Sequence, residues 1–182
     1  MTEIYALRHF RTDNNMKDVL NGRSIRLPVS EARQVECGVQ IDKVYCSDAL
    51  RCRQTLEKFL ETNKAGEVEY TIELLERDLG DMEGRPRQEM ISLYPDKFTG
   101  GRLDVFAAPP GGESFEELRE RASSFLRRTG LDKEDIKEKS NILICSHNQF
   151  LKMLYFTIHK KEIKKAAWNA LSFPFGKVIK IS

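Results

Sequence analysis

The chain has 182 residues, 40% of them hydrophobic and 32% charged, with a formal net charge of +2. That length suits one domain and buries roughly 70% of the extended chain's surface, so no disulfide or metal staple is needed to hold a core. The charge is too balanced to make nucleic acid or an anionic membrane the partner, so any attraction for an anion must come from a few placed cations.

The amino terminus, MTEIYALRHF, lacks a basic stretch followed by a long apolar core, and no run approaches 18 apolar residues. Neither a signal peptide nor a membrane span is expected, and the predicted location is the cytoplasm. Glu3–Leu7 (EIYAL) reads as a first strand and Lys43–Cys46 (KVYC) as a second. After Ser47, Leu50, Leu56, Phe59 and Leu60 fall on related faces of a helix. Val68–Leu74, rich in β-branched residues, reads as a third strand. Residues 84–112 are irregular, with four prolines and the aromatics Tyr94, Phe98 and Phe106, and read as a lid or cap insertion within the single domain.

Ser114–Phe115–Glu116–Glu117 fits a capping box, and Phe115, Leu118, Ala122, Phe125 and Leu126 form the apolar stripe of the helix behind it. Asn141–Cys145 (NILIC) is a short continuous apolar run, the mark of a central parallel strand buried on both faces. Phe150, Leu151, Leu154 and Tyr155 mark a helix directly after it. The Lys160–Lys165 run reads as a solvated helix face, and Lys177–Ile181 (KVIKI) as an edge strand. Strands alternating with helices make this an α/β protein, a three-layer sandwich with a mainly parallel central sheet flanked by helices. The cysteines Cys37, Cys46, Cys52 and Cys145 fit no zinc spacing and read as reduced, mostly buried thiols.

Ligands of open parallel sheets bind at the carboxyl ends of the strands. His9 follows the first strand beside Arg8, and His147 follows the NILIC strand. Arg51 lies one helical turn beyond the second strand, and Glu76 comes just after the third. The pattern therefore brings Arg8, His9, Arg51, Glu76 and His147 towards one crevice. Arg53 competes with Arg51, but residues two apart on a helix do not face the same way. Glu73, Asp78, Asp81 and Glu83 compete with Glu76. Glu83 and Glu113 read as structural groups, His159 as a surface residue and Trp168 as a packing residue.

Five segments in order resemble the histidine phosphatase (phosphoglycerate-mutase-like) superfamily. ALRHFRTDNN resembles its first-histidine signature at Arg8, His9, Thr12 and Asn15, and SDALRCRQT matches at Ser47, Arg51, Gln54 and Thr55. ERDLGDMEG matches at Glu76, Gly80, Glu83 and Gly84, PPGGESFEEL resembles the segment before the capped helix, and ILICSH the strand ending in the second histidine. In size the chain is similar to the small phosphatase branch, such as α-ribazole phosphatase-like enzymes. The resemblance implies a phosphoglycerate-mutase-like fold and a metal-independent phosphomonoesterase acting through a phosphohistidine on His9. It implies that Arg8 and Arg51 clamp the phosphoryl oxygens, that His147 stabilises their charge as a cation once phosphate binds, and that Glu76 is the general acid and base. Asn15 joins the substrate-binding set. No metal or cofactor is implied, and the partner is a small phosphorylated substrate; the oligomeric state stays open.

Two departures fall at the site. Phe10 and Asn148 stand where the family has glycine, and Met82 replaces a usual tryptophan. Phe10 is expected to narrow the pocket or stack on the substrate, and Asn148 to tolerate a left-handed backbone that glycine would adopt. The short chain favours hydrolysis over phosphomutase activity. A phosphate- or protein-binding module with weak or no turnover, obstructed by Phe10, is the remaining alternative. Arg85, Arg87, Lys97 and Arg102 either solvate the lid or meet a second anionic group on the substrate.

Overall fold

The computed structural model describes residues 2–133 and 140–182. In chain order these form β1 (Glu3–Arg8), α1 (Asp13–Met16), β2 (Ile41–Ser47), α2 (Leu50–Leu60), β3 (Ala65–Thr71), α3 (Arg87–Leu93), β4 (Phe98–Thr99), β5 (Arg102–Leu103), α4 (Phe115–Thr129), β6 (Asn141–Ser146), α5 (Asn148–Ile158), α6 (Lys165–Ala170) and β7 (Val178–Lys180). Five strands make one sheet in the order β3-β2-β6-β1-β7. The first four run parallel, and the short β7 is antiparallel at the edge beside β1. β6, the NILIC strand, lies at the centre.

Strand alternation divides the apolar side chains between two faces. Ile4, Ala6, Tyr45, Ile142 and Ile144 point to one side and join Leu118, Phe125, Phe150, Leu151 and Leu154 of α4 and α5. Tyr5, Leu7, Val44, Cys46, Leu143 and Cys145 point to the other and join Cys52, Leu56 and Phe59 of α2. The result is three layers, helix, sheet and helix. Phe59 and Phe125 are wholly buried, and such burial contributes about 1.5–3 kcal/mol per side chain. α4 starts where its capping box predicts: the Ser114 N–H donates to Glu117 Oε2 at 2.8 Å and Ser114 Oγ accepts from the Glu117 N–H. It stops at Gly130, whose φ of 71° lies in the left-handed region that glycine tolerates.

Two predicted elements differ. The third strand is Ala65–Thr71, not Val68–Leu74, because it pairs residue for residue with Ile41–Ser47 of β2. Thr71 then accepts a hydrogen bond from the Glu73 N–H and starts a 3₁₀ turn over Ile72–Leu74. Its polar, edge-exposed residues hid the start of the strand. The basic run after His159 is not a helix face; it lies in the connection between α5 and α6, and only Lys165 is helical.

Residues 84–112 hold α3 and the β4–β5 hairpin, anchored by a small cluster of Leu20, Leu79, Met82 and Met90 with Tyr94, Phe98 and Leu103 against it. Met82 is fully buried there, so it fills a packing position. Gly80 has a φ of 51°, and a Cβ on it would stand 2.1 Å from the Pro110 carbonyl oxygen, so only glycine fits where the segment re-enters.

Candidate active site

The carboxyl ends of β1 and β6 open into a cavity of about 530 Å³ whose wall includes Arg8, His9, Asn15, Arg51, Glu76, His147 and Asn148. His9 is buried, and its Nδ1 lies 2.5 Å from the Phe10 carbonyl oxygen. A carbonyl only accepts, so Nδ1 carries the proton and Nε2 keeps its lone pair. Burial first, and then the charges of Arg51 and Arg8, hold the His9 pKa well below its ordinary 6.5, against an opposing pull from the Phe10 carbonyl. The ring is therefore neutral at physiological pH.

Arg8, the last residue of β1, donates from Nη1 to the Phe173 carbonyl at 3.1 Å and lies 3.6 Å from the centre of the Phe175 ring. Its buried Nε has no partner among the described residues. Burial lowers its pKa to about 10, which leaves it charged at pH 7. Arg51 is wholly buried at the start of α2. It donates from Nη2 to the Gly22 carbonyl at 3.0 Å, from Nη1 to the Ser24 carbonyl, and from Nε to His147 Nδ1 at 3.2 Å. Arg53 points elsewhere and pairs with Asp48.

His147 follows β6 as the N-cap residue of α5, with its ring centre 5.1 Å from that of His9. Its Nδ1 accepts from Arg51, and its Nε2 lies 2.9 Å from Ser47 Oγ. That is the bonding of a neutral ring, and burial followed by the charge of Arg51 pushes its pKa well below 6.5. The sequence expectation was a cation on binding phosphate. A cationic ring would have to give up its bond from Arg51, because both nitrogens would then donate. The fixed positive charge of this geometry sits on Arg8 and Arg51.

Glu76 is the only carboxylate on the cavity wall among the described residues. Its oxygens accept from the N–H groups of Arg77 at 3.0 Å, Phe150 at 3.1 Å and Gln149 at 3.2 Å. The last two are orphan donors of the first turn of α5, so the carboxylate caps the helix that begins beside His147. Glu83 instead accepts from the Arg23 N–H. Asn15 forms a capping box with Thr12 at the start of α1, its Oδ1 accepting from the Thr12 N–H at 3.1 Å, and it stands on the cavity wall.

Both glycine replacements act differently from expectation. The Phe10 ring does not line the cavity; it is 2% exposed and packs in the α2-side core against Gly176. It neither narrows the pocket nor obstructs attack. Its backbone carries the useful contacts, the carbonyl to His9 and the N–H to Thr55 Oγ1 at 2.9 Å. Asn148 is the first helical residue of α5 and has no left-handed backbone; its Oδ1 accepts from the Phe173 N–H at 3.4 Å.

Of the four cations predicted for residues 84–112, Arg87 and Arg102 reach the cavity, Arg87 while paired with Asp18 at 2.8 Å; Arg85 pairs with Glu89 and Lys97 with Asp96. Lys152 also lines it and escaped the sequence reading. The available signal was its being the lone charge in the apolar run Phe150–Ile158. Lys152 donates to the Trp168 carbonyl at 2.9 Å and Arg102 to the Asn169 carbonyl at 2.8 Å. Burial, and secondarily Arg102, lowers the Lys152 pKa to about 8. The 168–175 segment was likewise missed, since its contributions are carbonyls and the Phe175 ring, which leave no periodic trace.

A model of the histidine phosphatase superfamily (branch 1) matches residues 4–178. Fructose-2,6-bisphosphatase TIGAR of Xenopus tropicalis is 34% identical over 150 residues, covering 75% of this chain and 54% of its own length. The chain thus spans about half the length of that relative. A broad-specificity phosphatase of Saccharomyces cerevisiae is 31% identical over 169 residues, covering 83% of this chain and 67% of its own. Among solved structures, a mycobacterial glucosyl-3-phosphoglycerate phosphatase in complex with VO3 superposes with a TM-score of 0.80 at 21% identity, covering 100% of this chain and 91% of that one. YhfR of Bacillus stearothermophilus gives 0.78 at 21% identity, covering 98% and 89%. At such identities the likeness speaks for the fold alone.

Proposed function

Since the chain belongs to the histidine phosphatase superfamily, branch 1, we propose that it hydrolyses small phosphomonoesters through a phosphohistidine on His9. The observation that carries this reading is the His9 ring itself. It is buried and neutral, with Nδ1 committed to the Phe10 carbonyl and Nε2 free to attack, between two guanidinium groups. Nε2 attacks phosphorus while Glu76 protonates the leaving oxygen. Water, deprotonated by Glu76, then releases phosphate and restores the imidazole. Arg8 and Arg51 bind the equatorial oxygens, and the unpartnered Arg8 Nε supports an anion there. These charges do what a metal ion does in other phosphatases, so no metal is invoked.

The substrate carries a second anionic group, met by Lys152 and Arg102. Each is bonded to a carbonyl rather than a carboxylate, which leaves its charge uncompensated on the wall. Residues 84–112 serve as the lid of a single domain. The four free cysteines support a cytoplasmic home. Among the described residues no helix is long and apolar enough to cross a membrane.

Steady-state hydrolysis of para-nitrophenyl phosphate in chelator tests the reading. Native protein is expected to turn over and His9→Ala to lose that activity. Retained activity in the variant, or activity that requires added divalent ion, would contradict it.

A further inference from the structure

Arg121 of α4 lies outside the cavity wall, yet its guanidinium surrounds the segment that presents Glu76. Nη1 donates to the carbonyls of Glu73 at 2.7 Å and Leu75 at 2.8 Å, and Nη2 to the Glu76 carbonyl at 3.4 Å. Nε and Nη2 also form a forked pair with the Glu113 carboxylate, both bonds at 2.8 Å. Five N–H donors thus meet five acceptors, the full capacity of a guanidinium. The group also lies 4.7 Å from the centre of the Phe150 ring, above the residue whose N–H binds the Glu76 carboxylate.

Glu113 completes the arrangement from the other side. Its side chain is 6% exposed, and it accepts from the Asp78 N–H at 3.3 Å and from Arg23 Nη2 at 3.2 Å. Arg23 lies between Gly22 and Ser24, whose carbonyls hold Arg51. One buried carboxylate therefore ties the Glu76 segment to the loop that holds the phosphate clamp.

We infer that Arg121, paired with Glu113, is a positioning residue that fixes the backbone of Glu76 so that its carboxyl meets the leaving oxygen. The inference rests on reading Glu76 as the proton donor. Lysine cannot replace Arg121, because an ammonium offers three donors from one point, not five from a plane.

The test measures kcat/KM, which reports transfer to His9, across phosphate esters from dinitrophenyl to alkyl. Leaving groups that need no proton are indifferent to Glu76. Arg121→Lys is expected to lose about tenfold or more on alkyl esters and about twofold or less on the dinitrophenyl ester, with no further loss when combined with Glu76→Gln. Glu113→Gln, which keeps the shape of the side chain, should show the same pattern and carries the test if Arg121→Lys does not fold. Equal losses across the series, or losses that add to those of Glu76→Gln, would show a merely structural role and overturn the inference. A Glu76→Gln variant with no leaving-group dependence would remove Glu76 as the acid, and the positioning role would fall with it.

Discussion

The floor and the rim of the cavity are built differently. On the floor, Arg51 donates to two carbonyls and a histidine, His9 and His147 have their ring nitrogens assigned by neighbours, and both imidazoles are buried. These residues sit at or just past the ends of β1 and β6 and at the start of α2. On the rim, Arg87 comes from a seven-residue helix, Arg102 from a two-residue strand and Lys152 from the first turns of α5. The floor is a fixed electrostatic device; on the rim Lys152 and Arg102 bond to carbonyls and Arg87 pairs with Asp18. Under the proposed function the floor does the chemistry and the rim the selection, because transition-state stabilisation needs groups already in place, whereas selectivity can be read by side chains that adjust.

Phe10→Ala probes how deeply the floor is founded. The ring belongs to the core, so its removal should cost about 3–5 kcal/mol of stability by chemical denaturation while leaving substrate KM nearly unchanged in the folded protein. A large change in KM without loss of stability would return Phe10 to the pocket wall.

pH separates the two regions next. Both histidines have folded pKa values depressed below 6.5, so below that pH the unfolded chain takes up protons that the folded chain refuses. Stability should then fall as pH drops from about 6.5, by up to about 1.4 kcal/mol per pH unit for each imidazole. Urea unfolding between about pH 7 and pH 5 measures this, and His147→Asn should roughly halve the slope. An unaltered slope in that variant would mean His147 is not held neutral.

The rim should respond more mildly and only with the right substrate. Lys152→Met is expected to raise KM about tenfold for a doubly anionic ester, with kcat little changed and para-nitrophenyl phosphate indifferent. In native protein kcat/KM for the doubly anionic ester should decline above about pH 8, as Lys152 loses its proton. That decline should vanish in Lys152→Met; its persistence would assign the titration to another group.

The same contrast governs what the sequence discloses. Strand parity and continuous apolar runs make the ends of β1 and β6 readable, and the chemistry follows from the polar residues standing there. Glu76 was placed near a strand end that lies three residues earlier, because a 3₁₀ turn intervenes. The direction of Phe10 was unreadable, since alternation stops at Arg8 and the turn beyond it sends the ring back to the core beside Tyr5 and Leu7. The rim left less trace: Arg87 and Arg102 stood among four candidates that nothing separated, two-residue strands have no period, and Arg102 and Lys152 come together only through folding. The charge of His147 without phosphate was not legible, because it depends on Arg51 and Ser47, which no spacing reports.

The account stands on covalent transfer to His9. Native protein mixed with phosphorus-labelled substrate and quenched within one turnover should carry an acid-labile, alkali-stable phosphoryl group, mapped by mass spectrometry to His9 and missing in His9→Ala. Rapid turnover with no label trapped on the protein, or label on any other residue, would contradict it.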